Sequence, residues 1–360
     1  MDIRSSKLPE SHQDPLVTIA IPTFNRVGLL KDCVFSALSQ SYKRLEVLVS
    51  DNTSTDGTAE FLATIPDPRL RVVRQKSNIG LNGNWNACLT AAWGEYIVFV
   101  SDDDRVKNDF IDACIALVRA DDRAPLVIGL ADTYYSDTGQ TIPALASQTL
   151  GTGIWGGADI LLELLKCHIF PQMCTILIRT EAFRARGGFP TNMAYAMDLA
   201  SWAPLLLTGR SGLLNVACGT YVCHSANETW KHTLDVRLRE HKEAINLIAT
   251  AADDSIDDLD KRQEVQFEAR RNIANTLLNI LIARCKDDRS VNILPFVWAY
   301  RRDVTAADIY TWVLLLTYFL VPAPMVGGLR NLKSGLCAAV ATVSRLAGDR
   351  RRALGGEPRK

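Results

Sequence analysis

The familiar glycine-rich phosphate loops are missing from this chain: neither G-x-G-x-x-G nor G-x-x-x-x-G-K-[ST] follows its first candidate strand. A nucleotide, if bound, is therefore held by another arrangement. Net charge is missing too. Forty Lys and Arg balance forty Asp and Glu, which argues against a nucleic-acid partner. The nine cysteines contain no C-x-x-C pair, so zinc and a disulfide framework are disfavoured, and reduced thiols in a cytoplasmic protein are the simple reading. Residues 1–15 are polar, lack the apolar core of a signal peptide and read as a flexible leader. Apolar material is ample: of 360 residues 48% are hydrophobic and 22% charged, enough for a large α/β domain with an appendage.

The stretch Tyr96–Asp104 organises the rest. Tyr-Ile-Val-Phe-Val is followed by Ser101 and three carboxylates, Asp102, Asp103 and Asp104. A continuous β-branched and aromatic run suits a strand covered on both faces, as in a parallel sheet. The acids fall where that strand must end, and open α/β sheets bind ligands outside the carboxyl ends of their strands. Adjacent carboxylates repel unless a positive group sits among them, and hard divalent cations prefer such oxygens. The alternative is a solvated acidic turn.

Three more strands precede it. Leu16–Ile21 is an apolar run stopped by Pro22, Leu45–Val49 a second run and Leu70–Val73 a third. Helical spacing occupies Leu29–Gln40, and Trp85–Trp93 reads as a helix after a loop at residues 78–84. Short strands alternating with helices predict a doubly wound, mostly parallel sheet with helices on both faces and right-handed crossovers. Each strand then ends in a polar loop (23–26, 51–58, 76–84 and 101–105), and in a parallel sheet these loops share one edge.

Four strings, in order, resemble the successive motifs of the family-2 glycosyltransferases. They are Ile-Pro-Thr-Phe-Asn-Arg at 21–26, Val-Ser-Asp-Asn-Thr-Ser-Thr-Asp-Gly-Thr at 49–58, Asn78-x-Gly80, and Gly94-Glu-Tyr-Ile-x-Phe-x-Ser-Asp-Asp-Asp at 94–104. The resemblance covers residues 16–104. It implies a GT-A fold, a nucleotide-sugar donor, inversion at the anomeric carbon, and a divalent cation, Mn²⁺ or Mg²⁺, at a D-x-D motif. It assigns Pro22, Thr23 and Asn25 to the base pocket and gives Asp51 a hydrogen bond from a pyrimidine; an Asx-turn is the other reading of Asp51. Asn78 and Gly80 shape the donor floor. Asp102 and Asp104 take the outer D-x-D positions, with Asp104 the first choice as metal ligand, and Asp103 contacts the ribose or donor sugar. Ser101 stands where many family members have Asp, so the division of labour among the acids stays open.

Gly187-Gly-Phe-Pro followed by Met197-Asp-Leu-Ala-Ser-Trp resembles the family's acceptor-side segment and makes Asp198 the general base. A helix N-cap is the alternative, and Met197 replaces a Glu common in the family. Tyr221-Val-Cys-His224 resembles a later segment whose histidine lies near the metal or diphosphate. Imidazole suits Mn²⁺, and a merely hydrogen-bonded His224 is the alternative. His232 and His241 read as surface residues.

The domain reading is a catalytic region at 16–230, with a nucleotide-sugar-binding half at 16–130 and an acceptor-side half at 131–230. A helical appendage follows at 231–304, then an apolar and basic segment at 305–360. That segment has an uncharged run at 309–329, and residues 301–360 hold ten Lys/Arg against four Asp/Glu, a composition that binds anionic membrane surfaces. The expected activity is an inverting, metal-dependent transfer of a sugar from a nucleotide-diphosphate sugar to a hydroxyl of a lipid-linked glycan in cell-surface polysaccharide synthesis. The expected place is the inner face of the cytoplasmic membrane, with peripheral attachment. Two alternatives stand beside it: a non-catalytic nucleotide-sugar-binding protein, and a sugar nucleotidyltransferase. The second is disfavoured because loop 23–28 offers one Arg and one Gly.

Overall fold

The computed structural model describes residues 14–287, with the single positions 303 and 307. The leader up to residue 13 and nearly all of the segment at 305–360, including the uncharged run, lie outside the described residues. The chain divides into two compact units, Met1–Ile273 and Ala274–Lys360; the sheet and the site described below belong to the first.

The strands are β1 (Val17–Thr23), β2 (Leu45–Asp51), β3 (Leu70–Arg74), β4 (Tyr96–Phe99), β5 (Arg105–Val106), β6 (Leu126–Tyr135), β7 (Gln140–Ile142), β8 (Gly153–Gly156), β9 (Ile176–Arg179) and β10 (Arg210–Cys223). Among them run the helices α1 (Val27–Leu38), α2 (Thr58–Ala63), α3 (Gly80–Ala91), α4 (Phe110–Ala120), α5 (Gly157–Leu165), α6 (Thr180–Ala185) and α7 (Met197–Trp202). Then come α8 (Glu228–Lys231), α9 (Leu234–Ser255) and α10 (Leu259–Asp287). One ten-stranded sheet has the order β3-β2-β1-β4-β9-β6-β10-β5, with β7 beside β6 and β8 beside β10.

The first four strands form the expected parallel, doubly wound half, with Val17 opposite Leu45 in β2 and Tyr96 in β4. Every residue of β1, β2 and β4 is buried, as a strand covered on both faces requires. Beyond β4 the pairing turns mixed: β9 runs antiparallel to both β4 and β6, and β10 parallel to β6. The fold is α/β with helices flanking a large central sheet.

Two local expectations shift. β1 continues through Pro22 to Thr23, because β4 pairs with β1 only as far as Ala20 while β2 stays alongside. A residue without an N–H is tolerated where one neighbour has ended. The loop expected at 78–84 folds into α3 from Gly80 onward. Its asparagines find partners across the fold: Asn84 bonds Ser50 and the Thr23 carbonyl, and Asn82 the carbonyls of Pro190 and Met193. Tertiary partners thus override turn propensity.

The long strand β10 was not anticipated. Its register slips between Leu214 and Ala217 and again before Gly219, so it never presents a clean apolar alternation. Gly219 sits opposite Val106 of β5, where an added Cβ would come within 2.7 Å of the Arg105 carbonyl oxygen.

Under the carboxyl edge lies an aromatic cluster. Phe99 of β4 stacks on Trp85 of α3 at 5.7 Å and meets Phe189 edge-on at 4.8 Å, while Phe183 of α6 closes the group at 5.8 Å from Phe99. This cluster joins α3 and β4 to the turn that leads to α7. Phe99 is fully buried, so Phe99→Ala should destabilise the fold by about 3–5 kcal/mol. Urea unfolding checks it; an unshifted midpoint would show that the cluster does not hold the two halves.

Candidate functional site

The carboxyl ends of β1 and β4, the start of α3, the start of α7 and the turn into α8 surround one cavity of about 440 Å³, within the usual range for ligand sites. Pro22, Thr23, Asn78, Gly80 and the three acids 102–104 line it, and so does Asp198. Asn25, Asp51 and His224 are not among the lining residues.

The acids are nearly dry: Asp102, Asp103 and Asp104 are 5%, 8% and 3% exposed. Burial of three adjacent carboxylates demands compensation, and it arrives from distant segments. Thr23 Oγ1 donates to Asp102 Oδ2 at 2.7 Å, and Arg26 Nη1 reaches Asp102 Oδ1 at 3.2 Å and Asp103 Oδ2 at 3.0 Å. His224 Nε2 stands 3.2 Å from Asp103 Oδ2, and Asn227 Nδ2 donates to the same oxygen at 3.2 Å. Burial pushes the Asp102 carboxyl up to about 6; Arg26 and Thr23 oppose that rise and Asp103 adds to it. Burial works against the charge of Arg26, yet Asp102 and Asp103 hold it more basic than usual.

Asp104 is placed differently. Its Oδ1 accepts from the Val222 N–H at 2.9 Å, its carboxyl meets Cys174, and burial drives it well above the ordinary carboxylate range. It ties the end of β4 to β10. Asp103 is the acid that faces His224, and Asp102 is spent on Thr23 and Arg26. Asp102 and Asp104 are the expected metal-ligating pair; in the structure consecutive side chains diverge at the strand end, and the middle acid, Asp103, points at the imidazole. Among the described residues no three His, Cys, Asp or Glu side chains converge on a metal position. Asp103 and His224 are two donors of types that divalent cations accept.

On the donor side, Asp51 Oδ1 accepts from the Ser54 N–H at 2.8 Å, three residues on rather than the two of an Asx-turn. Its buried Oδ2 lies 3.3 Å from Arg74 Nη1 without a hydrogen bond. Asn25, at φ 53°, donates its N–H to Ser54 Oγ, and its Oδ1 accepts from the Thr55 N–H, so it locks the first loop to the second. Asn78 Oδ1 accepts from Asn52 Nδ2 and from the Gly80 N–H. Gly80 has φ +76°, where a side chain would be strained. Phe24, 42% exposed, and Leu81 give the cavity an apolar rim.

On the other side, Asp198 is the second residue of α7. Ala196 holds the cap position, so the N-cap reading fails. The Asp198 carboxylate accepts from the Leu199 N–H at 2.7 Å, and burial raises its pKa. Tyr195, Met197 and His232 share its wall.

His232, expected at the surface, therefore lies at the cavity with its Nε2 buried and unpartnered. His241 is likewise inside, bonded to Asn272 at 2.9 Å, and burial lowers its pKa. For Arg26 the signal in the sequence is that it is the lone cation of loop 23–28. Trp85 and Tyr195 left none.

Residues 18–187 match the family model described as Glycosyl transferase family 2. A chondroitin synthase of Pasteurella multocida (strain Pm70) is 27% identical over 269 residues, which is 71% of this chain. The chain spans about a quarter of that relative, 26% of its length. In fold the chain resembles S. aureus TarS 1–349 in complex with UDP-GlcNAc, with a TM-score of 0.60 and 17% identity over 84% of this chain and 91% of that one. The mannosyltransferase PcManGT from Pyrobaculum calidifontis, in complex with GDP-Man and Mn²⁺, aligns at a TM-score of 0.50 and 17% identity over 86% of this chain and 88% of that one. With its four motifs at the carboxyl edge of a sheet shared with these structures, the chain belongs, through residues 18–187, to glycosyl transferase family 2.

Proposed function

We propose that this protein transfers a sugar from a nucleotide-diphosphate sugar to a hydroxyl of a glycan, with inversion at the anomeric carbon, in the synthesis of a cell-surface polysaccharide. The observation that carries this reading is a single cavity lined both by the compensated acid cluster at β4 and by Asp198. The complexes of TarS with UDP-GlcNAc and of PcManGT with GDP-Man support a nucleotide-sugar donor. The similarity to a chondroitin synthase supports a glycan acceptor.

In this reading the nucleoside lies against Thr23, Phe24, Asn52 and Asn78, and the diphosphate comes to Asp103, His224 and Arg26. Asp103 and His224 hold a divalent cation, Mn²⁺ or Mg²⁺; when bound, it offsets the negative charge of the departing diphosphate. Arg26 adds a guanidinium that needs no proton to be charged. Asp198 accepts the proton of the acceptor hydroxyl as that oxygen attacks the anomeric carbon. One base and one displacement give inversion. Asp198 must be ionised for this, and its raised pKa moves the requirement upward: turnover should fall away as pH drops through a value above the ordinary carboxylate range.

Asp198→Asn should lower turnover by about 10²–10⁴-fold and abolish that acid limb; an unchanged pH–rate profile removes Asp198 as the base. Asp103→Ala and His224→Ala should each weaken donor-dependent Mn²⁺ binding in calorimetry by about 10–100-fold, whereas Asp104→Asn should lower thermal stability and leave Mn²⁺ affinity in place. Equal loss in D103A and D104N would return Asp104 to the ligand set.

The acceptor in this proposal is lipid-linked and is met at the inner face of the cytoplasmic membrane, to which the apolar and basic residues 305–360 attach. Among the described residues no helix is long and apolar enough to cross a membrane. Deletion of 305–360 should release the protein from vesicles containing anionic lipid; undiminished co-sedimentation would refute the attachment.

A further inference from the structure

Glu240 belongs to α9, beyond the span matched by the family, in a stretch whose sequence announces no chemistry. Its side chain is buried, with the residue 4% exposed. One oxygen, Oε2, accepts from three successive backbone N–H groups, those of Ala194 at 2.8 Å, Tyr195 at 2.6 Å and Ala196 at 3.3 Å. A carboxylate gathering three donors forms strong, charge-assisted bonds, and a buried one is sustained only by such partners.

The place of that clamp gives it meaning. Ala196 is the cap residue of α7, and Asp198 follows two residues later. From the same helix, three residues earlier, the Arg237 guanidinium lies 6.0 Å from the ring centroid of Tyr195. Glu240 also falls in register with Ala244 and Ile248, both fully buried, at the i, i+4, i+8 spacing of one helix face. A carboxylate on an otherwise apolar face is costly unless it serves the backbone it meets.

We propose that Glu240 is the positioning residue for Asp198: it fixes the backbone of 194–196 so that the carboxylate of Asp198 stays at the acceptor wall. The proposal rests on the reading of Asp198 as the general base. On it, α9 is part of the catalytic apparatus although it lies beyond the family-matched span.

The experiment uses the full chain and whichever of UDP-, dTDP- and GDP-sugars binds the unaltered protein in calorimetry, with water as the accepting hydroxyl and release of the nucleoside diphosphate as the readout. Glu240→Gln should lower the turnover number by about 10–100-fold, the scale of loss from a small misplacement, with the donor dissociation constant unchanged. Backbone amide exchange should quicken at 194–199 and stay unchanged at 101–104. A merely structural role would lower thermal stability without this split between turnover and donor affinity. Wild-type turnover in E240Q, parallel loss of donor binding, unchanged exchange at 194–199, or failure of E240Q to fold would each overturn the proposal. Asp198→Asn separates the two readings. If D198N retains turnover, the base assignment itself fails; if D198N is inactive and E240Q is not, the Glu240 proposal alone fails.

Discussion

Three adjacent carboxylates, almost removed from water at the end of β4, are the constraint on which the rest depends. Removing one partner from a buried charge pair typically costs about 3–5 kcal/mol, so each acid needs its own compensation. None of it is local. Thr23 lies 79 residues from Asp102, Arg26 lies 77 from Asp103, Val222 lies 118 from Asp104 and Asn227 lies 124 from Asp103. The acid triad therefore fastens the first strand to the last. It also sets where the turn after β10 must go, since Arg26 Nη2 holds the Ala226 carbonyl while His224 and Asn227 both bond Asp103.

A second set of bonds carries this order towards Asp198. α3 opens the cavity with Gly80 and lines it with Trp85. On another face its asparagines seize the segment that precedes α7: Asn86 bonds both N–H and carbonyl of Phe189, and Asn82 bonds the carbonyls of Pro190 and Met193. The very next residues, 194–196, are held by Glu240 from α9. The backbone leading to Asp198 is thus gripped by α3 through its carbonyls and by α9 through its N–H groups. On the proposed reading of Asp198 as the base, a carboxylate presented to an attacking hydroxyl needs such rigid support more than it needs strength in any one contact.

The sequence disclosed the first half of this scheme and not the second, for physical reasons. Strands β1, β2 and β4 are buried on both faces and read as mostly apolar runs, interrupted only by Thr18 and Glu46 before their polar ends, and the polar strings after them fall together because parallel strands share an edge. Hence Thr23, Asn78, Gly80 and the acids were found at the cavity. The task of each acid was not legible: which of Asp102, Asp103 and Asp104 faces His224 depends on side-chain direction at a strand end, and Arg26 and Val222 settle it from afar. Asn25 and Asp51 Oδ1 bond to residues of the 51–55 loop, and neither residue lines the cavity. The strand β10 stayed hidden behind its bulges. His232 and Glu240 sit in a charged helical stretch whose periodicity looks like solvated surface, and only the tertiary partner distinguishes a buried carboxylate from an exposed one.

That asymmetry has a chemical origin on the proposed reading. A nucleotide diphosphate is the same demanding object in every such reaction: it brings concentrated negative charge and a base with fixed donors and acceptors. Meeting it requires particular residue types at short, fixed spacings, and such strings are recognisable one by one. An acceptor hydroxyl asks for much less, namely one ionised carboxylate within reach and a wall of the right shape. Tyr195, Met197 and His232 can provide that wall in many sequences, and the positioning of the carboxylate can be delegated to a helix far along the chain. The matched span ends at residue 187, short of Asp198 and Glu240 on the acceptor side. On that reading, the demands of the donor are written largely in local strings, and those of the acceptor in long-range contacts around α7 and α9.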